Sequence, residues 1–114
     1  MAKDDYHVIV FKMLQYLYAQ LKKGEPIDRD KLSNDGEICQ INRKYWTYIL
    51  ESMQEQELIR GLNRDAAGEN SDYIWDQLER IQITPKGIDL LADQNAQSKV
   101  TEIIKGVIKL IPGL

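Results

Sequence analysis

Residues 41–61 read INRKYWTYILESMQEQELIRG, and this stretch decides the fold. Its second residue is Asn42, a residue type that often caps the N-terminus of a helix. Apolar side chains then recur at the three- and four-residue spacing of one helix face: Trp46, Ile49, Leu50 and Met53. This pattern predicts a helix over residues 42–57 with one buried face, followed directly by a strand at LIRGL, residues 58–62.

The other face of the predicted helix is polar and begins with cations. In a helix-turn-helix protein, the N-terminal half of the second helix contacts base edges and phosphates. Arginine and lysine can pair with guanine, asparagine with adenine, and threonine or tyrosine with phosphates. The candidate DNA contacts are therefore Asn42, Arg43, Lys44, Thr47 and Tyr48. Glu51 and Glu55 follow on the same face, so a solvated surface that happens to begin with two cations is the alternative interpretation.

The chain before this stretch predicts two more helices. Residues 4–24, DDYHVIVFKMLQYLYAQLKKG, are apolar nearly all round, as in helices that are buried between two layers. Residues 28–36 read DRDKLSNDG, where Asp28 can cap a short helix and the NDG sequence can form the turn that ends it. A short helix, a turn and a longer helix form the outline of a helix-turn-helix.

The chain after the strand predicts a loop, a second strand and a helix. Residues 63–72, NRDAAGENSD, are small, polar and turn-forming. Residues 73–84, YIWDQLERIQIT, alternate in the manner of a strand at both ends, although a turn over residues 76–80 could interrupt them. Thr84 followed by Pro85 predicts the start of a helix with the sequence TPKGIDLLADQ.

Residues 98–114, SKVTEIIKGVIKLIPGL, predict an amphipathic helix. Its apolar face consists of Val100, Ile103, Ile104, Val107, Ile108 and Ile111. Such a face needs a partner, which either the first helix of the same chain or a second copy in a homodimer could supply. With three lysines and one glutamate the segment is only mildly basic, which favours a protein interface over a membrane surface.

The order of these elements is helix, short helix, longer helix, strand, loop, strand and helix, which is the order of a winged helix. The expected fold class is α+β and mostly helical: a winged helix-turn-helix with an added amphipathic C-terminal helix. Residues 1–114 are expected to form a single domain, with a core over 1–97, a wing over about 59–84 and the C-terminal helix over 98–114.

Three segments taken together resemble the YjcQ-like family: YWTYILESMQEQELIRGL at residues 45–62, ITPKGIDLLADQ at 83–94, and IPGL at 111–114. The resemblance covers nearly the whole chain. ITPKGIDLL alone is less specific, because similar junctions occur in PadR-like and MarR-like regulators. The resemblance implies a small, prophage-associated winged-helix protein of Gram-positive bacteria with a role in DNA binding and transcription regulation. It supplies no catalytic or binding residues.

The charge of the chain opposes that function. The formal net charge is −3, whereas proteins that bind double-stranded DNA through phosphates usually present a basic surface. Arg60 and Arg64 are further candidate phosphate contacts, but Asp65, Glu69 and Asp72 surround Arg64, so we do not expect the wing tip to enter the minor groove. A winged-helix protein-interaction module without DNA binding is therefore the alternative function.

Catalysis, metals and cofactors find little support in the sequence. His7 and Cys39 are the only histidine and cysteine, and they cannot build a typical zinc site. The chain has no glycine-rich phosphate loop, so we expect no enzyme activity and no cofactor. Trp46, Trp75 and Cys39 are expected to serve in packing, and His7 is expected on the surface.

Several features bear on the compartment. A single cysteine permits no intramolecular disulfide, as is usual in reducing compartments. The charged N-terminus lacks the pattern of a signal peptide, and no apolar run approaches the roughly 20 residues of a membrane span. We therefore expect a cytoplasmic protein without a membrane span.

Overall fold

The structure is a computed structural model that describes residues 4–66 and 72–93. Within these ranges, the order of elements is α1 (Tyr6–Lys23), α2 (Arg29–Leu32), α3 (Arg43–Glu55), β1 (Ile59–Arg60), α4 (Tyr73–Asp76), β2 (Gln82–Ile83) and α5 (Pro85–Ala92). Short 3-10 turns follow β1 at Arg64–Ala66 and α4 at Leu78–Arg80. The class is α+β and mostly helical, as predicted. The predicted C-terminal helix over residues 98–114 lies outside the described residues.

Local sequence signals set the starts of the helices. Side-chain oxygens accept hydrogen bonds from backbone N–H groups in the first turns of three helices, which confirms three predicted N-caps: Asp28 on α2, Asn42 on α3 and Thr84 on α5. Asp5 occupies the N-cap position of α1, but its side chain makes no capping hydrogen bond. Gly24 ends α1 with a φ of 70°, a left-handed conformation that glycine adopts at little cost.

Helix α1 forms the centre of the fold. Every side chain from Val8 to Gln15 is buried, so the helix is enclosed on all sides over two turns, as its all-round apolar character predicts. It packs against β2, α5 and α3. The predicted inward stripe of α3 is fully buried and joins the same core. No helix in the described part of the chain combines the length and the hydrophobicity that crossing a membrane requires.

The sheet is a single antiparallel pair of very short strands. Ile59 lies opposite Ile83, and Arg60 lies opposite Gln82. The two isoleucines face the core and the other pair faces solvent. One further backbone hydrogen bond extends the pairing toward α5: Thr84 N donates to the carbonyl oxygen of Leu58, the residue just before β1.

The prediction of strand structure from residue 73 onward is wrong over most of its length. Residues 73–76 form α4, whose N-cap Asp72 accepts a hydrogen bond from Trp75 N. Ile74 and Leu78 are four residues apart and fully buried, which is a helical spacing. The apparent alternation at residues 73 and 75 is therefore an accident of a short run, which periodicity alone cannot assign. Only residues 82–83 pair as a strand.

Candidate functional site

The connection between β1 and β2 lies against α3 and α2 over its described residues, 61–66 and 72–81. We call these residues the inter-strand connection. The Gln54 side chain of α3 both donates to Leu62 O, at 2.8 Å, and accepts from Leu62 N, at 2.9 Å. Inside the connection, Gln77 makes the same pair of bonds with the backbone of Asn63, at 2.9 and 2.6 Å. Two amide side chains thus fix the path of this backbone.

Arg43, one of the predicted base contacts, is engaged within the protein. Its Nη1 lies 2.9 Å from Asp72 Oδ2 at the start of α4. Its guanidinium also lies over two indole rings, 4.8 Å from the ring centroid of Trp46 and 5.1 Å from that of Trp75. Stacking and ion pairing together hold the planar cation against the connection. A base could contact this arginine only in competition with these partners.

Arg64, the predicted phosphate contact of the wing, turns back onto α3. Its Nη2 lies 2.7 Å from Glu51 Oε2, and its guanidinium lies 5.5 Å from the ring centroid of Tyr73. The Tyr73 hydroxyl donates to the same carboxylate at 2.7 Å. Burial, followed by this hydrogen bond, raises the pKa of Tyr73 to about 12. Glu51 is therefore a shared acceptor inside the protein, as well as a charge that would repel DNA.

A third arginine repeats the arrangement on α2. Arg29 Nε lies 3.3 Å from Glu79 Oε1, and Arg29 Nη2 donates to Asp76 O at 3.4 Å. The guanidinium lies 5.7 Å from the ring centroid of Trp75, which therefore sits between Arg29 and Arg43. Exposed ion pairs of this kind contribute only about 0–1 kcal/mol each to stability. Their larger consequence is electrostatic, because the three cations, which lie around the predicted DNA-contacting helix, each oppose a carboxylate.

Apart from Arg43, the exposed residues of α3 form a narrow strip centred on Tyr48. Its side chain is 62% exposed, and Lys44 and Glu55 are exposed one turn before it and two turns after it. The Tyr48 ring packs edge-on against Tyr6 of α1 at a centroid distance of 6.3 Å, and Tyr6 contacts the exposed His7 at 5.2 Å. We call Lys44, Tyr48, Glu55, Tyr6 and His7 the aromatic strip. It combines an exposed ring with one cation and one anion of α3.

Some of the predicted DNA contacts are engaged within the protein, and the others are accessible. Arg43 and Arg64 lie against carboxylates of the site, and the Asn42 side chain caps α3 by accepting from Tyr45 N. The remaining predicted contacts are accessible: Lys44 and Tyr48 are exposed, Thr47 is half-buried, and Arg60 is exposed on β1 with Nε 3.4 Å from Gln82 Oε1. The structure thus leaves no uninterrupted cluster of cations on the described surface of α3.

Two site residues were missed by reasoning from the sequence. Asp72 belongs to the predicted loop, but it caps α4 and holds Arg43. Trp75 packs against the core as expected, but it lies in α4 rather than in a strand, and it also stacks with two arginines and, at a centroid distance of 6.5 Å, with Trp46. An aspartate immediately before an apolar helical run is a helix-start signal, and Asp72 before Tyr73 could have revealed the first of these roles.

Charge across the described chain agrees with this picture. Residues 4–66 and 72–93 contain 11 lysines and arginines against 16 aspartates and glutamates. A protein that relies on phosphate contacts would normally show the opposite balance on its binding face. The described part of the protein is therefore acidic, and the arginines around α3 do not reverse this locally.

Cys39 is a packing residue, as expected. Its side chain is buried, and its Sγ lies 3.6 Å from Ser33 O and 3.9 Å from Asn34 O. Burial raises the pKa of the Cys39 thiol from 9.0 to about 11. His7 is exposed, also as expected.

We expect Cys39 to react very slowly with a thiolate-specific disulfide reagent in the native protein. At pH 8 a shift of the pKa from 9.0 to about 11 lowers the thiolate fraction about 100-fold, and burial restricts access further. The measurement is the labelling rate at pH 8 with and without urea. Equal rates in the two conditions would show that the thiol is accessible in the native state. The raised pKa also means that this thiol destabilises the fold as pH rises from about 9 to 11, because only the unfolded chain then ionises freely.

Comparison with known proteins adds one finding. The model of one family, described as YjcQ protein, matches residues 11–110 of the chain. No match was found among curated proteins or among solved structures. The matched range includes α3, both strands and α5, and therefore the whole described part of the site except the first residues of α1.

Proposed function

The chain belongs to the YjcQ protein family, and from that premise we propose that it is a winged-helix module that binds a protein partner through the aromatic strip of α3. The element order supports the winged helix. A short helix, a turn and a longer helix precede an antiparallel strand pair, and α5 closes the domain against α1. In this reading the inter-strand connection is a wing that lies back on the helices.

The observation that carries the proposal is that Tyr48 of α3 is exposed, whereas three arginines around α2 and α3 each oppose a carboxylate. Tyrosine is enriched at the energetic centres of protein interfaces, where its ring buries apolar area and its hydroxyl finds a hydrogen bond. DNA recognition would instead require free cations, and Arg29, Arg43 and Arg64 already oppose Glu79, Asp72 and Glu51. The same helix face therefore suits a protein surface better than a row of phosphates.

The composition of the aromatic strip describes the partner it would fit. A partner surface would offer an apolar recess for the Tyr48 ring, a carboxylate near Lys44 and a cation near Glu55. These charges lie on opposite sides of the ring along α3, so they would fix the direction in which the partner lies. Such charge pairs contribute more to orientation and association rate than to affinity.

Double-stranded DNA is the second candidate, favoured by the position of Lys44 and Tyr48. Both are exposed in the N-terminal half of α3, the part of a recognition helix that enters the major groove. Together with Thr47 and Arg60 they could contact phosphates. A transcription regulator of the prophage type would read DNA in this way, with a binding strength that falls steeply as salt increases.

We expect a photo-crosslinker at position 48 to capture a protein. The experiment places p-benzoylphenylalanine at residue 48 of the full chain in its native cells, with illumination followed by analysis of the adducts. The ring of the probe replaces the exposed tyrosine ring, so the change disturbs the fold little. A discrete adduct that is sensitive to protease and insensitive to nuclease is the expected result.

The matched control carries the same probe at position 86, where Lys86 is exposed on α5 and outside the aromatic strip. The adduct should be absent there. A nuclease-sensitive adduct specific to position 48 would favour the DNA candidate. Adducts that are equal at both positions, or absent at both, would overturn the assignment of this surface.

A further inference from the structure

A second surface, away from the aromatic strip, exposes an apolar side chain beside a groove. Leu21 and Tyr48 are the two large apolar side chains that are exposed among the described residues, and Leu21 is 52% exposed. It lines a groove of about 130 Å³ between the end of α1, the loop after it and β2. The apolar walls of the groove are Leu17, Leu21, Ile27, Ile81 and Ile83.

The size and chemistry of the groove limit what it can hold. Sites for drug-sized small molecules measure roughly 300–1,000 Å³, so this groove is too small for that class. At about 130 Å³ it has room for one or two aliphatic side chains, and its walls are aliphatic. Its rim carries two carboxylates, Glu25 and Glu79, the second of which is shared with Arg29. The groove therefore suits aliphatic side chains that are flanked by cations.

We propose that the groove binds the apolar face of residues 98–114 of the same chain. This segment brings the two properties that the groove requires. Its aliphatic side chains share one side of the helix that the sequence predicts: Val100, Ile103, Ile104, Val107, Ile108 and Ile111. Its charged residues are three cations and one anion: Lys99, Lys105, Lys109 and Glu102. Isoleucine and valine meet the aliphatic walls, and lysine ammonium groups meet the rim carboxylates.

Chain length permits the segment to reach the groove. Ile83 lines the groove, and α5 begins two residues later, at Pro85. An eight-residue helix is about 12 Å long, and residues 94–97 can extend about 14 Å more. A helix that begins near Ser98 therefore starts within one short link of the end of α5 and can turn back along α1.

The same-chain arrangement is favoured over a second copy by this short link. Tethering raises the effective concentration of the segment at the groove to the millimolar range, so intramolecular docking precedes association between chains at ordinary protein concentrations. Docking would cover Leu21 and would complete the enclosure of α1 at its C-terminal end. It does not involve the aromatic strip, so it stands independently of the proposed partner site.

Paramagnetic broadening of amide signals tests the proposal in the full chain. A nitroxide is attached to Lys105→Cys in a Cys39→Ala background, so that the label occupies the polar side of the segment. We expect the amide signals of Leu21, Ile27 and Gln82 to lose most of their intensity relative to the reduced, diamagnetic label. A second sample mixes isotope-labelled protein without nitroxide and unlabelled protein with nitroxide, and there we expect no loss.

Two variants give the experiment its controls. Ile104→Gln removes an apolar side chain from the docking face and should restore most of the lost intensity, whereas Glu102→Gln, on the polar face, should leave the loss unchanged. Broadening in the mixed sample would assign the groove to a second copy and overturn the same-chain proposal. Full intensity at the three amides in the first sample, with a well-dispersed spectrum, would overturn docking altogether.

Discussion

Replacing Trp46 with alanine is expected to lower the free energy of unfolding by about 3–5 kcal/mol. The Trp46 side chain is fully buried, and its Nε1 donates to Leu32 O at 3.0 Å, so it joins α3 to the end of α2. The substitution leaves a large cavity and an unsatisfied buried carbonyl, which adds to the loss of burial. Small domains have a total stability of about 5–15 kcal/mol, so the variant should be marginal or unfolded at 25 °C.

Urea unfolding followed by circular dichroism measures this effect, with Trp75→Ala as the matched control. Trp75 is only half-buried, and besides Trp46 it stacks on two partly exposed arginines, so its loss should cost clearly less. The m value should be unchanged wherever both variants retain a native baseline. Equal costs for the two tryptophans would contradict the assignment of Trp46 as the buried link between α2 and α3.

Replacing Gly61 with alanine is expected to cost about 2–6 kcal/mol. The φ of Gly61 is 114°, which side-chain-bearing residues rarely adopt, and such strain costs about 1–3 kcal/mol. An added Cβ would also lie 2.1 Å from Arg80 O, so the backbone of the inter-strand connection would have to move. Overpacking of that kind costs about another 1–3 kcal/mol. The expected result is a lower urea midpoint together with loss of the β1–β2 pairing.

Gly24→Ala is the matched control for the second prediction. Gly24 also has a positive φ, of 70°, but a Cβ there would meet nothing within 4 Å. Its cost should be confined to the left-handed conformation, about 1–2 kcal/mol. The difference between the two variants therefore reports the close approach of Gly61 to Arg80 together with the greater strain of its φ of 114°. Indistinguishable midpoints would show that this approach does not constrain the connection.

Local signals made the helical part of the fold predictable. Asp28, Asn42 and Thr84 are capping residues that act on N–H groups two or three positions away, so their neighbours in sequence suffice to recognise them. The buried stripe of α3 extends over about two turns of a 13-residue helix, which is long enough for periodicity to be decisive. The all-round apolar character of α1 likewise follows from its own residues.

The inter-strand connection and the candidate site could not be predicted, because they depend on contacts between residues that are far apart in the sequence. Arg43 and Asp72 are 29 residues apart, and Arg29 and Asp76 are 47 apart, so no local pattern links them. An arginine at the start of a predicted recognition helix looks available for DNA until its partners are known. The strand prediction over residues 73–75 failed for a related reason, because burial of Ile74 and Leu78 against distant elements selected a helix.

The inter-strand connection also bears on how the native state fluctuates. Proteins open in cooperative units whose free energies range from near zero up to that of global unfolding. Opening of this connection would expose Ile74 and Leu78, which are fully buried and cost about 1.5–3 kcal/mol each to hydrate, whereas the three ion pairs contribute about 0–1 kcal/mol each. Burial of Ile74 and Leu78, more than the three arginine ion pairs, therefore sets how often the N-terminal half of α3 becomes transiently uncovered. The hydrogen-exchange rates of the α4 amides should report these openings, and we expect them to rise steeply with denaturant concentration and to change little with salt.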